Sequence, residues 1–261
     1  MANPVRQVID FHVHPFVEDK ERFIRYCSFP GDPDEFMSDI VGAGITRFCG
    51  SVIDCSADAS DFAPYRQMNR HALALRERYK GAYIPGIHIH PAFPRESCEE
   101  LEEMHRQGVR LIGELVPYIH GWDGTRLAAP GTMEIFDLAQ QLGMVVSFHP
   151  TNDEDMERVV SAFPHLTFVA AHPGEKEAAD AHIGRMKKYP NLHLDLSGTG
   201  LFRYTLVRYL IDQVGADRIL FATDYPICNP AMYLHAVLYE KLTGEELDKV
   251  LYRNAERLLG L

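Results

Sequence analysis

Short apolar runs rich in β-branched residues recur along the chain, separated by stretches whose apolar residues fall three and four apart. Eight runs stand out: RQVIDFHVH (6–14), ITRFCGSVID (45–54), AYIPGIHIH (82–90), VRLIGELV (109–116), MVVSFH (144–149), LTFVAAH (166–172), LHLDLSG (192–198) and RILFATD (218–224). The segments between them have the period and the end signals of helices. DPDEFMSDIVGAG opens with acidic residues suited to a helix N-terminus and closes on glycine. RQMNRHALALRERYKG carries a regular apolar stripe, and TMEIFDLAQQLG has Thr132 as an expected N-cap with Gly143 past its end. TNDEDMERVVSAFP starts on capping residues and stops at Pro164. The tail TGEELDKVLYRNAERLLGL, about 243–261, predicts one further amphipathic helix or two short ones.

Strand ends recur about every 30 residues, the length of a β-loop-α unit. Eight such units predict a single-domain α/β fold, a (β/α)8 TIM barrel over residues 1–261. An open doubly wound sheet would carry a Gly-rich phosphate loop after its first strand. Here FHVHPF occupies that place, and the later SGTG (197–200) lacks a third glycine.

The polar residues at the strand ends add chemistry to this pattern. Run one ends in His12 and His14, run three in His88 and His90. Run four carries Glu114, run five ends in His149, run six in His172, and run eight in Asp224. His14, His90, His149 and His172 each precede proline. Proline biases the residue before it towards extended geometry, so each histidine is expected on the last extended residue of its strand. The C-terminal strand ends of such a barrel form its active-site face, and side chains far apart in sequence then meet. Residues i and i+2 of a strand share a side, so His12 and His14 can grip one ion together, as can His88 and His90. Imidazole with carboxylate suits zinc, manganese or iron. An open ligand position lowers the pKa of a bound water, and Asp224 is placed to take its proton.

Composition narrows the function classes. Among 261 residues, 37 acidic side chains against 26 basic ones leave a formal charge of −11, which opposes binding to a phosphate backbone. Five cysteines form no C-x-x-C pair and are expected as reduced thiols of a cytoplasmic protein. No signal-peptide core or membrane-length apolar run occurs, so no membrane partner and no nucleic acid are expected, and a homo-oligomer is left open.

FHVHP on run one, FHP on run five, AHPG on run six and FATDYP on run eight resemble the amidohydrolase superfamily, in its "amidohydrolase 2" branch. The ending NAERLLGL resembles that branch's final helix. The resemblance implies a metal-dependent barrel in which His12, His14, His149 and Asp224 match metal-ligand positions. His172 matches a position that binds a second metal or acts as acid/base. Relatives of this kind include lactone and ester hydrolases, hydratases, and decarboxylases such as aminocarboxymuconate-semialdehyde decarboxylase. LIGELVP resembles the "GE" of TatD-type deoxyribonucleases and other two-metal members, which implies that Glu114 contacts one or two ions.

The expected function is therefore a metal-dependent hydrolase acting on a small amide, lactone or ester through a metal-activated water. Its site would comprise His12, His14, Glu114, His149, His172 and Asp224, with Asp224 and His172 catalytic and zinc foremost among the metals. The alternative is a decarboxylase or hydratase of a small aromatic or dienoic acid. A TatD-type nuclease or a non-catalytic metal-binding barrel is more remote. His71, His105, His165, His182 and His235 fall in helical or loop contexts and are expected to be structural. Asp195 is a candidate to orient a ligand histidine. Two long loops, 15–32 and 117–131, suggest a lid or binding surface. Tyr118, His120, Trp122, Arg126, Arg25 and Arg203, together with His90, are candidates to line a pocket there.

Overall fold

A computed structural model describes residues 7–22, 28–122 and 126–261, so Arg25 and Cys27 lie outside the described residues. Eight parallel strands follow one another in chain order: β1 Ile9–Val13, β2 Arg47–Gly50, β3 Tyr83–Ile87, β4 Leu111–Leu115, β5 Val145–Phe148, β6 Thr167–Ala170, β7 Leu192–Asp195 and β8 Ile219–Leu220. All eight fall inside the runs expected from the sequence, and each is shorter than its run. The ring closes where Phe11 N–H donates to Phe221 O at 2.9 Å, Asp224 N–H to His12 O at 2.8 Å, and His14 N–H to Tyr225 O at 2.8 Å. This is the (β/α)8 barrel expected.

Among the described residues ten α-helices accompany the strands: α1 Pro33–Gly42, α2 Ala63–Arg78, α3 Pro94–Arg106, α4 Pro130–Gln141, α5 Asp153–Ala162, α6 Lys176–Lys188, α7 Leu206–Val214, α8 Pro230–Tyr239, α9 Gly244–Asp248 and α10 Asn254–Leu259. Helix α1 starts as its sequence requires, with the Asp32 carboxylate accepting from the Asp34 and Glu35 amides. Asn152 does the same for α5 through the Asp155 amide. Helix α4 corrects one expectation. It begins at Pro130, with Ala129 as N-cap, because proline's fixed φ and missing N–H suit the first turn. Thr132 is thus buried inside that turn. The tail forms two short helices joined by a π-helical turn, Lys249–Arg253.

Alternation along the strands builds two apolar layers. Leu111, Val145, Val169 and Leu220 cluster inside the barrel, where Ala255 and Leu259 of α10 join them. Their neighbours Ile112, Val146, Phe148 and Phe168 belong to the outer layer, packed with Ile135, Phe136 and Val159 of the helices. In two strands the alternation slips. Pairing register shifts between Asp10 and Val13 of β1 and between Ile112 and Leu115 of β4. Phe11 lies in the inner cluster and Val13 in the outer one, and Ile112 and Leu115 are both outer. The extra residue at each slip re-aims the chain, as bulges do. His12 and Glu114 sit at these two slips.

Candidate metal centre

At the C-terminal ends of the strands, six side chains from five strand ends converge. The slip in β1 and the following residue bring His12 and His14 together, with Nε2 atoms 3.2 Å apart. Glu114 stands between two groups. Its Oε2 is 3.1 Å from His12 Nε2 and 3.6 Å from His14 Nε2. Its Oε1 is 3.2 Å from His149 Nδ1 and 3.7 Å from His172 Nε2. His149 Nδ1 and His172 Nε2 are themselves 3.2 Å apart. Asp224 Oδ1 completes the near side, 3.1 Å from His14 Nε2 and 3.7 Å from His12 Nε2.

Two triads therefore share one carboxylate: His12, His14 and Glu114, then Glu114, His149 and His172. Within each, the possible donor atoms lie within 4.8 Å of one another. Such imidazole-carboxylate sets could hold divalent cations. Burial differs across the centre, since His12, His14 and Glu114 are buried while His149 and His172 are partly open.

The electrostatics match this crowding. Burial opposes charge on His12, but the Glu114 and Asp195 carboxylates outweigh it and push the pKa well above the usual histidine value. Burial likewise disfavours ionised Glu114, yet His12, then His149 and His172, hold its pKa well below the usual range. Asp195 is also held down despite its burial, by His12, His172 and Ser197.

Two site residues depart from the extended geometry expected at strand ends. His172, although followed by proline, has φ of 63°, and Asp224 has φ of 69°. Left-handed backbone is uncommon for such residues and clusters at functional sites. At His172 the backbone N–H points to Asp195 Oδ1 at 3.4 Å.

Outside the six, the expectations divide. Asp195 does orient a site histidine, with its Oδ2 3.0 Å from His12 Nδ1. Tyr118 is exposed and sets its ring edge-on to His149, centroids 5.1 Å apart. His90 needs correction as a substrate-facing group. Its Nδ1 accepts the Ala92 N–H at 3.1 Å and its Nε2 donates to the His120 carbonyl at 3.0 Å, which leaves no polar ring atom for a ligand. Trp122 is buried against His90, centroids 5.9 Å apart. His88 is buried too, and burial followed by the nearby His120 pushes its pKa well below the ordinary value. Arg203 is exposed and pairs with Glu175 at 3.0 and 3.2 Å. Arg126 is also committed, to Asp155 at 3.2 Å.

A cleft of about 710 Å3 opens beside the second triad, between the starts of α5 and α6. His149 and His172 form its inner wall, with Asn152, Thr199, His182 and Arg185 around it. Two residues of the site carry no motif in the sequence: Arg185, and Ser197, whose hydroxyl lies 3.0 Å from both His12 Nδ1 and His172 Nδ1. A buried serine carries no sequence signal of its own, and only a neighbour on a distant strand gives it meaning.

The amidohydrolase family model matches residues 9–261, and the chain belongs to that family. No curated protein matches it. Among solved structures it is similar to 2,6-dihydroxybenzoate decarboxylase from Rhizobium, at 16% identity and a TM-score of 0.77, covering 98% of this chain and 99% of that one. It is also similar to 5-carboxyvanillate decarboxylase from Novosphingobium aromaticivorans, solved with manganese and a nitrobenzoic acid, at 14% identity and a TM-score of 0.77, with coverage of 98% and 96%. A TIM-barrel protein from Bordetella bronchiseptica aligns at 20% identity and a TM-score of 0.72, with coverage of 97% and 98%. Among the described residues no helix is long and apolar enough to cross a membrane.

Proposed function

We propose that this protein is a metal-dependent enzyme acting on a small carbonyl compound at a two-ion centre, and that the reaction is hydrolysis of an amide, lactone or ester. The observation that carries this reading is Glu114, whose two oxygens face two different triads. A carboxylate shared in this way suits a pair of divalent ions and is unnecessary for one. His12, His14, Glu114 and Asp224 would hold the first ion, and Glu114, His149 and His172 the second. Divalent ions there, zinc foremost with manganese or iron as alternatives, would polarise the substrate carbonyl and acidify a bound water.

The remaining chemistry falls to the chain. Asp224 is an ionisable carboxylate at the edge of the centre, placed to accept a proton from water and return it to a leaving group. Asp195 fixes the His12 ring so that Nε2 faces the centre. The cleft beside His149 and His172 would admit substrate to the centre. The cleft's size fits a small molecule.

A second reading is nonoxidative decarboxylation of an aromatic acid. The names of the solved neighbours favour it over hydrolysis, since several are decarboxylases of hydroxylated benzoic acids. One experiment separates the two. Metal content is measured after mild purification, and the protein is then supplied with 2,6-dihydroxybenzoate, 5-carboxyvanillate and a panel of lactones, esters and amides. Two ions per chain with acid release supports hydrolysis. One ion per chain with carbon dioxide release refutes it in favour of decarboxylation. No stoichiometric metal and no effect of chelators refutes both.

A further inference from the structure

The end of β7 ties the two triads together. Ser197 Oγ is 3.0 Å from His12 Nδ1, in the first triad, and 3.0 Å from His172 Nδ1, in the second. It also makes a close hydrogen bond to Asp195 Oδ1. Asp195 in turn meets His12 Nδ1 through Oδ2 at 3.0 Å and the Ser197 backbone N–H through Oδ1 at 3.0 Å. All of these atoms belong to buried or nearly buried groups, and Ser197 and Asp195 have no exposed surface.

Proton counting leaves one consistent arrangement. A serine hydroxyl has one proton and two lone pairs, and an ionised carboxylate only accepts. The Ser197 proton goes to Asp195 Oδ1, so its lone pairs accept from the two imidazoles. His12 and His172 then both carry a proton on Nδ1. Each ring can then present an Nε2 lone pair to an ion held at Glu114, whose two oxygens lie 3.1 and 3.7 Å from the His12 and His172 Nε2 atoms. His12 has Asp195 as a second partner for its Nδ1–H. His172 Nδ1 meets, among the described residues, the Ser197 hydroxyl as its hydrogen-bonding side chain. Gly198 closes the arrangement from behind. With φ of 63°, it lies so near the ring that a β-carbon there would come within 2.2 Å of His172 Nδ1.

We infer that Ser197 is a positioning residue shared by both triads: it sets the tautomer and angle of one histidine in each, and so couples the two ion sites. The inference rests on the two-ion reading above for its coupling, and on hydrogen bonding alone for the tautomers. Filling the first site locks His12, and through the common hydroxyl also orders His172 for the second ion.

The test uses the full chain with 15N-labelled histidine, without metal and during titration with zinc. In the zinc-loaded wild type the expected spectrum shows His12 and His172 protonated at Nδ1. S197A should lose the single tautomer of His172 and keep that of His12, because Asp195 remains. Partners that orient metal-binding histidines are typically worth about 10–100-fold in metal affinity. Zinc at the second site should therefore weaken by about that factor in S197A, with a smaller loss at the first. S197T, which keeps the hydroxyl, should restore both readouts. A zinc-loaded wild-type spectrum with His172 protonated at Nε2 overturns the inference, as does S197A with both affinities unchanged. If S197A fails to fold, the wild-type tautomers and the S197T titration still decide. Wild-type protein that takes one zinc refutes the two-ion reading and the coupling with it. Two zinc ions together with an unaffected S197A refutes the coupling alone.

Discussion

Replacing Glu114 with glutamine tests the centre most directly, because the change keeps the shape of the side chain and removes one charge. In the folded protein that carboxylate is 5% exposed and lies within 3.1–3.7 Å of four imidazoles. A unit charge acting on another at about 4 Å is worth about 4 kcal/mol at the effective dielectric of a partly buried site. The saved cost of burying the carboxylate offsets part of that. The amide oxygen also remains as a weak donor. A net loss of about 3–4 kcal/mol per ion follows, or a fall in affinity on the order of 10²–10³. Because Oε1 and Oε2 face different triads, the loss should appear at both ions. Competition against a chromophoric chelator, fitted for two sites, measures it. If E114Q weakens one ion and leaves the other within about twofold, Glu114 is not shared and the two-ion reasoning fails, since a difference of that size is well under 1 kcal/mol.

Other substitutions check other parts of the structure. Gly86→Ala would place a β-carbon 2.3 Å from the Gly113 carbonyl, backbone against backbone, beside the strand that carries Glu114. A loss of about 1–3 kcal/mol is expected, read by urea unfolding, together with weaker metal binding. Phe136→Ala removes a fully buried ring packed edge-on against Phe168 at 5.6 Å, and should cost about 3–5 kcal/mol without changing the metal count. Glu246 is held at a pKa of about 2, first by Arg208 and then by the Thr243 amide it caps. A depressed carboxylate contributes stability above its unfolded value of 4.5 and loses it as pH falls towards 2. Glu246→Gln should therefore cost about 1 kcal/mol at neutral pH, allowing for solvent screening, and nothing near pH 2, as thermal melts at both would show.

The barrel was legible in the sequence because its signals are local. Strand runs, capping residues and His-Pro stops each act within a few positions, and eight repetitions leave little choice of fold. The meeting of His12, His14, His149, His172 and Asp224 followed from the fold rule that strand ends share a face. What was not legible arises from contacts between distant strands. His90 carries the same H-x-H and His-Pro signature as His14, but the carbonyl of His120 and the amide of Ala92 consume its ring. Ser197 matters only because β7 stands between His172 and His12. The slips in β1 and β4 also escape a period-2 reading, although they aim His12 and Glu114 inward. Thr132 has the chemistry of a cap, but Pro130, two residues earlier, starts the helix and places Thr132 inside its first turn.

The seam that closes the ring lies between the first strand and the last. Asp10 receives the Thr223 amide at 3.0 Å and its hydroxyl at 2.6 Å, across 213 positions of chain. During synthesis, β1 can pair with β2 early, but its partner across the seam is made only after the six strands between them. Asp224 arrives at that same moment, beside His12 and His14. A nascent or truncated chain can thus pair seven strands and still lack the first triad's carboxylate edge. The strand that closes the ring is therefore also the one that brings the last carboxylate to the centre.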